Sequence, residues 1–218
     1  MQLALDLATD GVPGTIVSAS NRDAYALLDE WPRWSFPVAM VRGGEGTGKS
    51  HLARVFAEHA GATLRTGATL SADEVLALAT GPVVVDDADA ADERALFHLI
   101  NAVRAAGTTL LLTARSRARV RLPDLASRLN ATPETPLHAP DDAMLRGVLI
   151  EAFLARQLPA DPQVVSFLLA RVERTLHAVV QMVEEIDRAG LAEQRGPTRP
   201  LAARILKTGG SNLSDIVP

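Results

Sequence analysis

The sequence predicts an α/β fold: a parallel sheet covered by helices on both faces, followed by a smaller unit made only of helices. Three observations carry this. Short apolar segments alternate with helical ones up to Pro140. Two of the apolar segments, Val83-Val84-Val85 and Leu110-Leu111-Leu112, lack the alternation of a half-exposed strand, as strands buried on both faces do. Beyond Pro140 the strand-like segments stop.

Taken in order, a helix is expected over 21–30, a strand over 38–41, a helix over 50–59, a strand over 63–66, a helix over 72–79 and a strand over 83–86. A helix over 92–106, a strand over 108–113, a short helix over 125–129 and a strand over 136–139 complete the sheet unit. Such a sheet binds its ligands at the carboxyl ends of its strands. The second unit is expected to hold helices over 141–157, 161–172, 174–189 and 198–207, with Asp141 and Asp161 as N-caps and Pro159, Pro162 and Pro197 marking the breaks. Gly209-Gly210-Ser211 reads as the start of a loose tail.

Composition narrows the function. The 218 residues suffice for one core domain and a small satellite, and 47% apolar with 22% charged residues excludes wholesale disorder. With no cysteine there is no disulfide framework, thiol nucleophile or thiolate metal site. A net charge of -4 does not suit a chain that coats nucleic acid. Met1 to Asp10 lacks the pattern of a signal peptide, and no apolar run approaches the roughly 18 residues of a membrane span, so a cytoplasmic protein with no membrane partner is expected. Against 20 arginines there are two lysines, Lys49 and Lys207.

One of those lysines closes a phosphate loop. Gly43, Gly44, Glu45, Gly46, Thr47, Gly48, Lys49 and Ser50 satisfy G-x-x-x-x-G-K-[ST], with an apolar strand before and a helix after. The glycines let backbone N–H groups curl around phosphate, the helix N-terminus adds partial positive charge, Lys49 reaches the β and γ phosphates, and Ser50 is the Mg²⁺ ligand. Downstream, the buried strand ends in Asp86 and Asp87. Asp86 suits a Mg²⁺ held through water and Asp87 an attacking water to be oriented; the plainer alternative is a solvated acidic loop. The five histidines are scattered and none reads as a metal ligand.

The phosphate loop, the Asp-Asp strand end, a polar-tipped fourth strand and the helical unit together resemble an AAA+ module with a lid. Gly48-Lys49-Ser50-His51-Leu52, Val85-Asp86-Asp87 and Ser20-Asn21-Arg22 look like the replication initiator DnaA, with Asn21 and His51 joining the nucleotide-binding set. That initiator continues into a helix-turn-helix DNA reader, which is not expected here. Together with Gln2, Leu3, Ala4, Leu5, Asp6 and Leu7, this resembles the Hda family, DnaA-related inactivators of the initiator in which such a hexapeptide docks on the DNA polymerase sliding clamp. Gln2 offers an amide anchor, while Leu5 and Leu7, with Leu3 in the same motif, fill an apolar cleft. An amphipathic starting strand or a frayed end is the alternative reading.

The resemblance implies a clamp-binding peptide and linker at 1–13, a nucleotide-binding core at 14–139, a lid at 140–207 and a tail at 208–218. It implies a resident ADP or ATP with Mg²⁺, and as partners the clamp and DnaA, with DNA met only through the clamp and the chain acting as monomer or homodimer. Arg128 stands at the arginine-finger position, where a guanidinium reaches into a neighbouring subunit's site, and Arg174 at the sensor 2 position of the lid. Thr113 falls at sensor 1, but where an acid usually follows two residues on, this chain has Arg115, then Arg117, Arg119 and Arg121. Intrinsic ATPase is therefore expected to be slow at most, and the four arginines read as a solvated loop or a basic ridge. The expected function is an adaptor that promotes hydrolysis of DnaA-bound ATP. The alternatives are a self-standing AAA+ ATPase of the helicase-loader or clamp-loader type and, further off, a P-loop kinase.

Overall fold

A computed structural model describes residues 16–115, 120–193 and 196–209. The chain divides into two compact units, the second beginning at Pro140. In the first, strands β1 (Val38–Gly43), β2 (Thr63–Thr66), β3 (Val83–Asp86), β4 (Leu110–Ala114) and β5 (Glu134–Leu137) pair in parallel in the order β2-β3-β4-β1-β5. Helices α1 (Arg22–Asp29), α2 (Lys49–Ala60), α3 (Val75–Leu78), α4 (Glu93–Ala106) and α5 (Pro123–Asn130) cover it.

Alternate strand residues supply two cores. Val38, Met40, Val83, Val85, Leu110 and Leu112 pack with Leu78, Leu99, Ile100 and Leu125 on one face. Ala39, Val41, Val84, Leu111 and Leu137 pack with Tyr25, Leu28, Leu52 and Phe56 on the other. Burial on both faces is why β3 and β4 are apolar up to Asp86 and Thr113 at their carboxyl ends. Trp34 stacks on Phe56 at 5.3 Å and Trp31 meets the same ring edge-on, so both tryptophans report on this unit.

Local chemistry sets the helix ends. Asp92 accepts from the backbone N–H groups of Arg94 and Ala95 at 3.1 and 2.9 Å, and Gly107 at φ 67° ends α4. Several expected bounds move. The helix expected at 72–79 is a 3-10 turn, Ala72–Glu74, running into the four-residue α3, because a Ser71/Glu74 capping box tightens its start. The fourth strand begins at Leu110, since the Thr108 N–H is still bonded back to the Val103 carbonyl of α4 at 3.1 Å. The fifth starts earlier than expected, at Glu134, with Pro136 inside it opposite Arg42; an edge strand tolerates the missing N–H.

In the second unit, α6 (Asp142–Ala155), α7 (Pro162–Leu169), α8 (Leu176–Glu193) and α9 (Arg199–Gly209) enclose their own core. Leu145, Leu149 and Phe153 of α6 meet Val165 and Leu168 of α7, Val179, Val183 and Ile186 of α8, and Ala202 and Ile205 of α9. The stripe at 179, 183 and 186 has helical spacing. Asp141 accepts from Met144 N–H at 2.8 Å and Asp161 from Gln163 N–H at 2.7 Å, so both act as N-caps. Arg174 does not open a helix: α8 starts at Leu176, with the Thr175 hydroxyl accepting from Ala178 N–H at 3.1 Å. Helix α9 runs through Gly209, two residues into the expected tail; the rest of that tail lies outside the described residues. Among the described residues no helix is long and apolar enough to cross a membrane.

Candidate functional site

The phosphate loop leaves the carboxyl end of β1 and enters α2. Gly46 and Gly48 take φ values of 72° and 98°, which favour glycine. A Cβ on Gly43 would lie 2.5 Å from Thr47 Oγ1 and 2.6 Å from the Leu137 carbonyl oxygen, so only glycine lets the loop seat against the end of β5. The Thr47 hydroxyl donates to the Gly44 carbonyl at 3.0 Å. Lys49, only 6% exposed, donates from Nζ to the same carbonyl at 2.7 Å. Helix α2 has no side-chain cap at Gly48, which leaves the N–H groups of its first turn open to an anion. A loop seat closed to a Cβ at Gly43, a buried ammonium and an uncapped helix start fit the phosphates of a nucleotide.

Glu45 and Ser50 are exposed on the same loop and helix start. His51 beside them also keeps solvent access, yet loss of hydration and then the Arg54 guanidinium hold its pKa below the ordinary value, with Glu58 opposing.

Strand β4 lies between β1 and β3, which sets Thr113 opposite Val41 on one side and brings it to the acidic end of β3 on the other. Its fully buried hydroxyl donates to Asp86 Oδ1 at 2.5 Å and accepts from Asp87 N–H at 3.0 Å. Thr113 thereby fixes both acids, 26 and 27 residues away in sequence. Asp87 takes a left-handed conformation, φ 51° and ψ 51°. Gly67, after β2, makes this turn possible: a Cβ there would sit 2.2 Å from the Asp87 carbonyl oxygen. Nothing in its local sequence distinguishes Gly67 from an ordinary loop glycine.

Arg115 stands over this turn. Its Nε lies 3.8 Å from Asp87 Oδ1, and its backbone N–H donates to Asp89 Oδ1 at 3.3 Å. Of the four alternating arginines, Arg115 and Arg121 are described, and Arg117 and Arg119 lie outside the described residues. Among the described residues no three His, Asp or Glu side chains gather to hold a metal, so a Mg²⁺ at Ser50 and Asp86 would depend on phosphate and water oxygens for the rest of its shell.

Asn21 serves its own loop: its side-chain oxygen accepts from Ser18 N–H at 2.7 Å and its amide donates to the Ile16 carbonyl at 2.8 Å. The Ser20 carbonyl accepts from His138 N–H at 2.9 Å, docking this turn beyond β5. On α5, Arg128 is half-buried, and among the described residues its guanidinium has no hydrogen-bond or ion-pair partner. Arg174, in the second unit, pairs with Asp142 at 2.6 Å and donates to the Pro140 carbonyl at 3.5 Å. Gln2, Leu3, Leu5 and Leu7 lie outside the described residues.

Comparison with known proteins adds family and fold. Residues 142–206 match the model of the Hda lid domain. An uncharacterized protein of Haemophilus influenzae is 30% identical over 188 residues, covering 78% of this chain and 81% of its own. Domain III of the Thermotoga maritima replication initiation protein DnaA superposes with a TM-score of 0.77 at 15% identity, covering 91% of this chain and 95% of that one. AMPPCP-bound DnaA from Aquifex aeolicus gives 0.67 at 15% identity, with 84% and 66% covered.

Proposed function

Since the chain belongs to the DnaA-related AAA+ family that carries the Hda lid, we propose that it is a nucleotide-binding adaptor that docks on the sliding clamp and promotes hydrolysis of DnaA-bound ATP. The observation that carries this reading is the Hda-type lid at 142–206 on a core folded like DnaA domain III. In it the chain binds ADP or ATP at residues 43–51, and Asp86, held by Thr113, faces the Mg²⁺ side. A bound Mg²⁺–nucleotide would supply the phosphate charge that suits the loop and Lys49, and the similar Aquifex DnaA is bound to the nucleotide analogue AMPPCP.

Arg128 acts in trans. An arginine with no partner among the described residues is available to stabilise the charge that spreads over a transferring γ-phosphoryl, a contribution of about 10³ to 10⁵ in rate in GTPases. Gln2, Leu3, Leu5 and Leu7 tether the chain to clamp-loaded DNA in the cytoplasm, which raises its local concentration around DnaA. Arg174, which pairs with Asp142 within the second unit, takes the sensor 2 role in this reading.

The test is hydrolysis of DnaA-bound ATP in the presence of clamp-loaded DNA. Wild type accelerates it, Gln2→Ala loses the acceleration in the clamp-dependent part, and Arg128→Ala loses it altogether. No acceleration by wild type refutes the reading. The intact Thr113–Asp86–Asp87 arrangement favours one other reading, an AAA+ ATPase acting on its own nucleotide. Brisk turnover by the isolated chain, lost in Asp87→Asn, would establish it.

A further inference from the structure

Helix α5 has no cap of its own, because its N-cap residue is Leu122, which offers no acceptor. Instead, a side chain from another helix fastens the two residues that lead into it. Glu93, first residue of α4, receives Arg121 N–H at 2.9 Å on Oε1 and 3.1 Å on Oε2, and Leu122 N–H at 2.7 Å on Oε2. Two helix N-termini, each carrying partial positive charge, thus converge on one carboxylate. Beyond that start, Leu125 is buried in the core and Leu129 packs against it, and both, with Glu93, line a cavity of about 230 Å³ walled also by Leu96, Ala114 and Glu134. Helix α5 is therefore held at its start by Glu93 and along its inner face by Leu125 and Leu129, with free volume beside these contacts into which it can shift.

We propose that Glu93 is the positioning residue of α5 and fixes where the Arg128 guanidinium projects; its role in hydrolysis rests on the trans-acting reading above. The lever arm supports this. Arg128 lies six positions beyond Leu122, roughly 9 Å along a helix axis, so a tilt of about 10° at the anchor carries its backbone roughly 1.5 Å sideways. A misplacement of about 1 Å costs on the order of 10²-fold where catalysis depends on orientation. The Glu93 segment also joins the two halves of the machinery, since Asp89, four residues upstream, holds the Arg115 N–H just beyond β4.

The chain has no cysteine, so two can be introduced and labelled uniquely. Spin labels at Arg104→Cys on α4 and Ser127→Cys on α5, both exposed, read the position of α5 in the full chain. Glu93→Ala is expected to shift or broaden that distance distribution and to lower the maximal acceleration of DnaA-bound ATP hydrolysis by about 10- to 100-fold. Glu93→Gln keeps acceptor oxygen and recovers most of both. The loss persists at saturating chain, and the concentration giving half-maximal acceleration stays within about twofold, because the contact surface is kept and only the guanidinium moves. An unchanged distance distribution in Glu93→Ala, or a loss cured by excess protein, overturns the proposal. If Glu93→Ala does not fold, Glu93→Gln and Glu93→Asp carry the test, with a graded displacement in support and none against. A broadened distribution in Glu93→Ala without any acceleration by wild type removes the trans-acting reading and leaves the Glu93 anchor of α5 standing.

Discussion

Replacing Thr113 by valine removes one oxygen and leaves the shape of a fully buried side chain almost unchanged. The hydroxyl donates to the Asp86 carboxylate at 2.5 Å and accepts from Asp87 N–H at 3.0 Å. A hydrogen bond to a charged group contributes about 1.5–3 kcal/mol, and an N–H left unpaired in a partly buried place costs about 1–3 kcal/mol. Local relaxation recovers some of this, so about 3 kcal/mol is expected. Urea unfolding followed by tryptophan fluorescence measures it in the first unit, where Trp31 and Trp34 both pack against Phe56. With a slope of about 2 kcal/mol/M, the midpoint falls by roughly 1.5 M. Thr113→Ser keeps both hydrogen bonds and loses one methyl, at about 1 kcal/mol. A valine variant within about 0.5 kcal/mol of wild type, or a serine variant as damaged as valine, would falsify the view that this hydroxyl organises the acidic strand end.

Gly67→Ala places a Cβ 2.2 Å from the Asp87 carbonyl oxygen, so the turn must move; a loss of about 2 kcal/mol or more in the same unfolding assay, with weaker fluorescent-nucleotide binding, is expected. Gly81→Ala, where nothing lies near the added carbon, serves as the control. His51 gives a pH signature: its pKa in the folded chain is below the ordinary value near 6.5, so the unfolded chain binds the proton more readily. The stabilising effect of a neutral His51 is complete above about pH 6.5 and is lost as pH falls through the folded-state pKa. His51→Gln should flatten the fall in melting temperature below pH 6.5, and an unchanged slope would contradict the assignment.

Much of the fold was legible because its determinants are local. Asp141 and Asp161 cap helices with bonds that span two or three residues, a distance over which sequence and geometry are tightly coupled. The starts of β4 and β5 lie two residues from where the sequence places them because strand limits depend on partners. The Thr108 N–H is taken by Val103, and Pro136 is acceptable because β5 is an edge strand. Arg174 falls just outside α8 because the next residue, Thr175, caps it, a role that the helical pattern of the segment hides.

The candidate site divides the same way. From residues 43–50 alone, the phosphate loop, its glycines and its lysine can be identified, since eight consecutive residues contain everything the backbone needs to curl around an anion. The acids at 86 and 87 were readable as the end of an apolar strand. Three things were decided only by the tertiary structure: that Thr113 holds those acids, that Gly67 makes room for their turn, and that Glu93 anchors the helix bearing Arg128. Each joins residues 20 or more positions apart, and each depends on the strand order β2-β3-β4-β1-β5 and the helices packed on it. Spacing along the chain carries no such information. A motif is a short-range object whose geometry its own backbone supplies, whereas the side chains that orient it arrive from elements placed beside it by burial of the sheet.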